Sequence, residues 1–478
     1  MSKQVFSILE DAAAKWQNRT AIIEQGERKS FKQLHEFALE VSERLEANID
    51  LRGSGIGFLC GNSAAFVIGL FAIAKIGAIA MPVLPGTHEG EIVKIFQDAS
   101  VNVLLAEKGN SLSFFAGVQR VSINEQFDLF IFSDIKPQNI DSLFPGAAFI
   151  RPSSGTTGNS KGVVISHTAV YERTAAANKG LMLNEDDVML WVLPMAFHFV
   201  VSVLLYIRYG VCMIISDHFT AEAIVMNANR FHATHLYASP LHYRLLAAGR
   251  SDHKFETLKK AISTSALLEP AVSQAFFDKY DIPVSQAYGI IEIGLPFINN
   301  ERENKRSESI GTALPGYTAA ILDAHGKALS VGLQGAFAIK GPGMFSGYLW
   351  PVITLEQVME ESWFLTGDIA EMDKDGFVFI KGRSKSMINV SGNKIFPEEV
   401  EAVLKLHHDV EEARVYGGKH PVTGELVEAE IVLKPMAEKN AEKIISFCRK
   451  QLLSYKVPQR IFFVDEIRKT KTGKIKRS

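Results

Sequence analysis

Between residues 55 and 107 the chain reads GIGFLCG, NSAAFVIGLFAIAKIG, AIAMPV, EGEIVKIFQDA and VNVLLA, apolar strand-like runs alternating with segments of helical length. Strands that are apolar throughout cannot face water on either side, so the intervening helices must cover both faces of a parallel sheet. The alternation returns between Val188 and Gly289, where VMLWVL, VCMIIS, HLYAS, KAIST and PVSQAYG are separated by helical stretches, with helices starting near Thr220, Pro240 and Leu268. The pattern predicts an α/β chain with two doubly wound sheets. Ligands of such open sheets bind outside the carboxyl ends of the strands, so chemistry is expected just after KAIST and PVSQAYG.

At 478 residues the chain exceeds one ordinary core. From about Ser309 to Gly382 the pattern changes to short strands and turns (TAAILDAHGK, GAFAIKG, DGFVFIKG), which predicts a small β subdomain. The remainder mixes helix (EEVEAVLKL, EKIISFCRKQLL) with hairpin-like strands and is long enough to fold as an α+β domain. The expected division is a large domain over residues 1–382 and a small mobile one over 383–478, joined by the polar, glycine-bearing KGRSKSMINVSGNK. The N-terminus predicts an amphipathic helix with Val5, Phe6, Leu9, Ala12, Ala13 and Trp16 on one face, and its Glu10 and Asp11 argue against a secretory signal. Residues 64–84 are apolar enough to suggest a membrane span, but Lys75, Gly77 and Pro82 interrupt them, so a buried helix running into a buried strand is expected. A net charge of −2 gives no field to draw in nucleic acid, and Cys60, Cys212 and Cys448 are scattered as in a reducing, cytoplasmic setting.

Residues 153–162 read SSGTTGNSKG and bury nothing. Glycines free the backbone to turn its N–H groups toward one point, and hydroxyls with one ammonium add donors, a combination suited to polyphosphate. A mobile surface loop has the same composition. The flanks AAFIRP and VVISH predict two strands, unlike the nucleotide loop that precedes a helix and carries Gly before its lysine, where this chain has Ser160.

Four further stretches accompany the loop in order: AYGIIEIG (287–294), SWFLTGDIA (362–370), GRSKSMINVSGNKIFPEEVE (382–401) and KTKTGKIKR (469–477). With them the sequence resembles, over essentially its whole length, the adenylate-forming superfamily of acyl-CoA synthetases, adenylation domains and luciferases, and among these the AMP-forming acid:CoA ligases most. The resemblance implies two steps: ATP and a carboxylate give an acyl-adenylate and pyrophosphate, and a thiol then takes the acyl group. It implies that Ser153, Ser154, Gly155, Thr156, Thr157, Gly158 and Lys161 cradle the phosphates. It assigns Tyr288 and Gly289 to adenine, Glu292 with Thr156 to Mg²⁺, Asp368 and Arg383 to the ribose, and Lys474 to the meeting of carboxylate and α-phosphate. Lys385 stands at the family's hinge.

Three departures stand out. Ile291 occupies the place of a threonine whose hydroxyl donates to the α-phosphate, a directed bond to an anion worth roughly 1 to 3 kcal/mol. Ser263-Thr264-Ser265-Ala266 replaces Ser-Gly-Gly-Ala, putting side chains beside adenine and the acyl chain. Arg468 replaces a proline before the lysine-bearing loop.

His198 follows Phe197 where amino-acid-activating relatives carry Asp, which disfavours an α-amino acid. The expected pocket of Phe197, His198, Val201, Ser263, Thr264, Ser265, Ile290 and Leu295 is mostly apolar and suits a fatty or aromatic carboxylic acid. FPEEVE (396–401) matches the ending of acyl- and aryl-CoA ligases, so coenzyme A is the expected acceptor, with a carrier-protein phosphopantetheine second. A third reading, a nucleotide-binding protein that has lost turnover, follows from the departures but is opposed by the retention of Lys161, Glu292, Asp368 and Lys474.

Overall fold

The computed structural model describes residues 4–109, 118–152, 161–216, 220–249, 252–301, 306–390, 393–420, 424–469 and 475–476. The chain divides into two compact units. One is built from the chain before residue 153 with 161–318 and 340–359, the other from 319–339 and the chain from Glu360 onward.

The first unit holds two nine-stranded sheets. One runs in the order Thr312–Ala313, Gly294–Asn299, Val284–Ile290, Lys260–Ser263, His235–Ala238, Val188–Trp191, Cys212–Ile215, Thr20–Glu24, Glu27–Ser30. Its six strands from Val284–Ile290 to Thr20–Glu24 are parallel, and the edges close antiparallel. The other has Gly55–Leu59 parallel to both Ile79–Val83 and Val103–Glu107, with Ala147–Pro152 parallel to Ile79–Val83 on its far side. The two flanks of the SSGTTGNSKG stretch form strands as expected, Ala147–Pro152 and Gly162–Ser166, and these pair antiparallel.

Helix Ala64–Lys75 is buried at every position except Lys75, and strand Ile79–Val83 is buried throughout. Lys75 is tolerated because its ammonium reaches back over the Phe6 ring, 4.7 Å from the centroid. Among the described residues no helix is long and apolar enough to cross a membrane. The N-terminal helix, Val5–Trp16, buries Ile8 in place of the expected Ala13, since Ile8 continues the i, i+3 stripe from Val5 with more apolar surface. The helix expected from Leu268 begins at Pro270, whose fixed φ suits a first turn, while Leu268 packs into the core.

In the second unit, strand Gly335–Lys340 pairs antiparallel with Phe364–Met372, which pairs antiparallel with Val378–Arg383, and Thr318–Leu322 completes a four-stranded sheet. A five-stranded sheet follows, in which Gly424–Leu433 pairs antiparallel with Val410–His420, meets Ile388–Val390 at Gly424 and Val390, and pairs in parallel with Arg460–Phe463. Helices Pro397–Lys405 and Ala441–Arg449 bury Val400, Leu404 and Ile444 against Val415, Ala429 and Ile431. The four-stranded sheet therefore groups with the C-terminal stretch in one compact unit.

Candidate active site

In the first unit the site is built on a turn. Strands Val284–Ile290 and Gly294–Asn299 pair antiparallel with an irregularity between Tyr288 and Ile290, and the residues joining them carry Ile291 and Glu292. Gly294 has φ +107°, and a Cβ there would meet the Arg173 side chain at 3.0 Å. That close approach is what the glycine permits.

Arg173 comes from helix His167–Leu181, capped by Ser166, whose Oγ accepts from Ala169 N at 3.1 Å. It is 1 % exposed, yet all its nitrogens are spoken for: Nη1 donates to Ile291 O at 2.7 Å, Nη2 to Glu292 O at 2.8 Å, and Nε to Gly343 O. Burial pulls its pKa down to about 10, which still leaves it charged at neutral pH. The cost of burying the charge is offset because each of its three nitrogens donates to a carbonyl. Phe345 N adds a bond to Glu292 O at 2.7 Å.

The Glu292 carboxylate is oriented by a second group. Tyr348 Oη donates to Oε1 at 3.1 Å, and the Lys161 ammonium lies over the Tyr348 ring, 4.1 Å from its centroid. Burial first, then the Glu292 charge, raises the Tyr348 pKa well above the ordinary phenol value, so the hydroxyl stays a donor. Tyr348 thus bridges an acid and a base that the sequence had singled out separately. Arg173 and Tyr348 were not found from sequence: they reach Glu292 from 119 and 56 residues away, and nothing local marks them.

Tyr288 is half-buried, edge-on to Phe297 with ring centroids 6.3 Å apart, and Gly289 is exposed. His198 ends the short helix Met195–His198. Its Nε2 lies 3.5 Å from Ser265 Oγ and its ring stands edge-on to Trp191. Phe197 lies under the Arg151 guanidinium, 5.1 Å from ring centroid to guanidinium carbon. Ser265 has φ +76°, the left-handed region that the glycine of related sequences would take without strain. Ser263 and Thr264 are buried, and Thr264 bonds Tyr237. Leu295 is buried in its strand, while Val201 and Ile290 are partly exposed.

In the second unit Asp368 and Arg383 face each other in register across strands Phe364–Met372 and Val378–Arg383. Arg383 Nε and Asp368 Oδ1 are 2.7 Å apart, with the Asp368 side chain 4 % and the Arg383 side chain 50 % exposed. Thr366 fixes both: its carbonyl accepts from Arg383 Nη1 at 3.2 Å and its hydroxyl accepts from Asp368 N at 3.1 Å. Lys385 occupies a single exposed 3₁₀ turn, Ser384–Ser386, where Ser386 Oγ bonds Arg383 O at 3.2 Å. Ser153, Ser154, Gly155, Thr156, Thr157, Gly158 and Lys474 lie outside the described residues.

Comparison with known proteins gives this arrangement its context. The family described as AMP-binding enzyme matches residues 9–349, and its C-terminal domain matches residues 399–474. A long-chain-fatty-acid--CoA ligase of Yersinia pestis is 26% identical, covering 99% of this chain and 93% of that protein. The fatty acid--[acyl-carrier-protein] ligase ScoC of Streptomyces coeruleorubidus is 27% identical, covering 96% of this chain and 92% of its own length. The fold matches that of ATP-bound MatB from Rhodopseudomonas palustris with a TM-score of 0.86 at 24% identity, over 100% of this chain and 97% of that one. The chain belongs to the AMP-binding enzymes, the adenylate-forming family.

Proposed function

We propose that the enzyme is an AMP-forming acid:CoA ligase that joins a fatty or aromatic carboxylic acid to coenzyme A through an acyl-adenylate. The observation that carries the reading is the Lys161, Tyr348, Glu292 arrangement, a cation and a carboxylate held by one phenol on a turn pinned by Arg173. A carboxylate attacking a phosphate brings two anions together, and preorganised charge is the chief means of lowering that barrier. Lys161 neutralises phosphate, and Lys474 meets the carboxylate and α-phosphate. Asp368, with two acceptor oxygens on a short side chain held by Arg383, takes the ribose hydroxyls. Glu292 is a hard oxygen donor fixed at one oxygen, which fits Mg²⁺, and the ion when bound offsets phosphate charge. Residues 383–478 turn about Lys385 between the two steps.

The acid is read from Phe197, Val201, Ile290 and Leu295, which offer it an apolar wall. The acceptor is read from FPEEVE and from the coenzyme A ligases among the relatives. ScoC favours a second acceptor, a carrier-protein phosphopantetheine. The test is pyrophosphate release with a panel of fatty and aromatic acids, each with coenzyme A or a phosphopantetheinylated carrier protein as acceptor, the thioester identified by mass. Acyl-CoA as the product supports the proposal; thioester on the carrier alone replaces the acceptor. Absence of pyrophosphate exchange with every acid sinks the ligase reading in favour of a nucleotide-binding protein without turnover.

A further inference from the structure

Two arginines lie close to the Glu292 turn, and their circumstances differ. Arg173 has given each of its nitrogens to a carbonyl and is part of the scaffold. Arg151 has not. It stands near the carboxyl end of strand Ala147–Pro152, opposite Val163 in the antiparallel pair. Among the described residues its Nε is buried without a hydrogen-bond partner, and its guanidinium rests on the Phe197 ring. Burial pulls its pKa down to about 10, with the Glu292 carboxylate opposing and the Arg173 cation reinforcing that shift, so both groups are near enough to act on it. A buried guanidinium nitrogen without an acceptor is costly unless a partner completes it. Its planar fork of donors matches a carboxylate.

We propose that Arg151 is the anchor for the acid substrate, holding its reacting carboxylate against the α-phosphate of ATP. The inference rests on the adenylation reading above and assigns a residue to it that the sequence motifs do not contain. Arg151 touches Phe197 on the acyl side and feels Glu292 on the phosphate side, which is where two anions must be brought together. In the step it serves, a carboxylate oxygen forms a bond to the α-phosphorus. The bond from that phosphorus to the oxygen bridging to the β-phosphate breaks, and pyrophosphate leaves with the electron pair. Arg151 transfers no proton; its charge offsets the approach of the carboxylate.

The experiment uses full-length Arg151→Gln and Arg151→Lys, with pyrophosphate–ATP exchange measured for hexanoate, benzoate and adipate. Arg151→Gln should lower kcat/KM for all three acids by about 10- to 100-fold, the range of one lost charge-assisted bond, with KM for ATP within about twofold of its original value. Arg151→Lys should recover part of the loss. Ile291→Thr should gain a larger factor in the Arg151→Gln background than in the unmodified enzyme, an excess over additivity that a purely structural arginine would not produce. Unchanged exchange in Arg151→Gln overturns the proposal. So does a loss confined to adipate, which would move the guanidinium to a distal carboxylate. If Arg151→Gln does not fold, Arg151→Lys decides: a raised acid KM with an unchanged ATP KM supports the anchor, and two unchanged constants overturn it. Failure of the unmodified enzyme to exchange with any acid instead sinks the adenylation reading, and the anchor with it.

Discussion

Ser265 is held at φ +76°, where a side chain costs about 1 kcal/mol that glycine does not incur. Ser265→Gly should raise stability by up to roughly 0.6 kcal/mol after the added freedom of the unfolded chain is subtracted, read as a higher urea midpoint. A lower midpoint would mean that the Ser265 to His198 contact at 3.5 Å outweighs the backbone strain. Ile291 is a different case, because its backbone carbonyl already serves Arg173 and only its side chain is out of place. Ile291→Thr leaves that bond intact and restores a donor, so pyrophosphate exchange should rise by up to about tenfold for 1.4 kcal/mol. An unchanged or slower exchange would assign Ile291 to packing alone. Lys474→Ala should abolish adenylate formation while a preformed acyl-adenylate still passes to thiol, since only the first step joins two anions; equal loss in both half-reactions would refute that division. Motif residues such as Lys161, Glu292 and Asp368 were legible in sequence because the chemistry demands their type. Arg173, Tyr348 and Arg151 were not, because a pin or an anchor is defined by what it reaches.

Elements were legible where local pattern decides. The fully apolar strands Gly55–Leu59 and Ile79–Val83 and the buried helix between them follow from composition and punctuation alone. The hairpin Thr20–Glu24 and Glu27–Ser30 was missed as a sheet edge: it docks on Cys212–Ile215, nearly two hundred residues on, and such pairing leaves no local trace. The turn Ser384–Ser386 is the shortest element with a proposed role. Small serines on both sides of Lys385 can absorb a φ/ψ change, and Ser386 Oγ is its one link back to Arg383. Lys385→Pro fixes φ near −65° and removes an N–H. One half-reaction should survive and the other should slow by at least about tenfold, a loss of 1.4 kcal/mol or more in transition-state stabilisation. Measuring adenylate formation and thioester formation separately tells the outcomes apart, and two unimpaired steps would eliminate the hinge.

For the molecule as a whole, the α/β class and the order of its parts could be read from alternation, but not how the chain is shared between its compact units. The path enters the second unit at residues 319–339, returns to the first for 340–359, and leaves again. The returning stretch carries Gly343, Phe345 and Tyr348, three of the groups that fasten the Ile291–Glu292 turn, and strand Gly347–Tyr348 closes against Gly162–Ser166. This routing sets an order on synthesis. As the chain leaves the ribosome, the parallel strands of both large sheets are already in hand when residue 339 emerges, while the carboxylate turn still lacks its carbonyl, its amide and its phenol. The nascent enzyme therefore acquires its framework well before its acidic centre, and it must begin its second unit in order to finish its first.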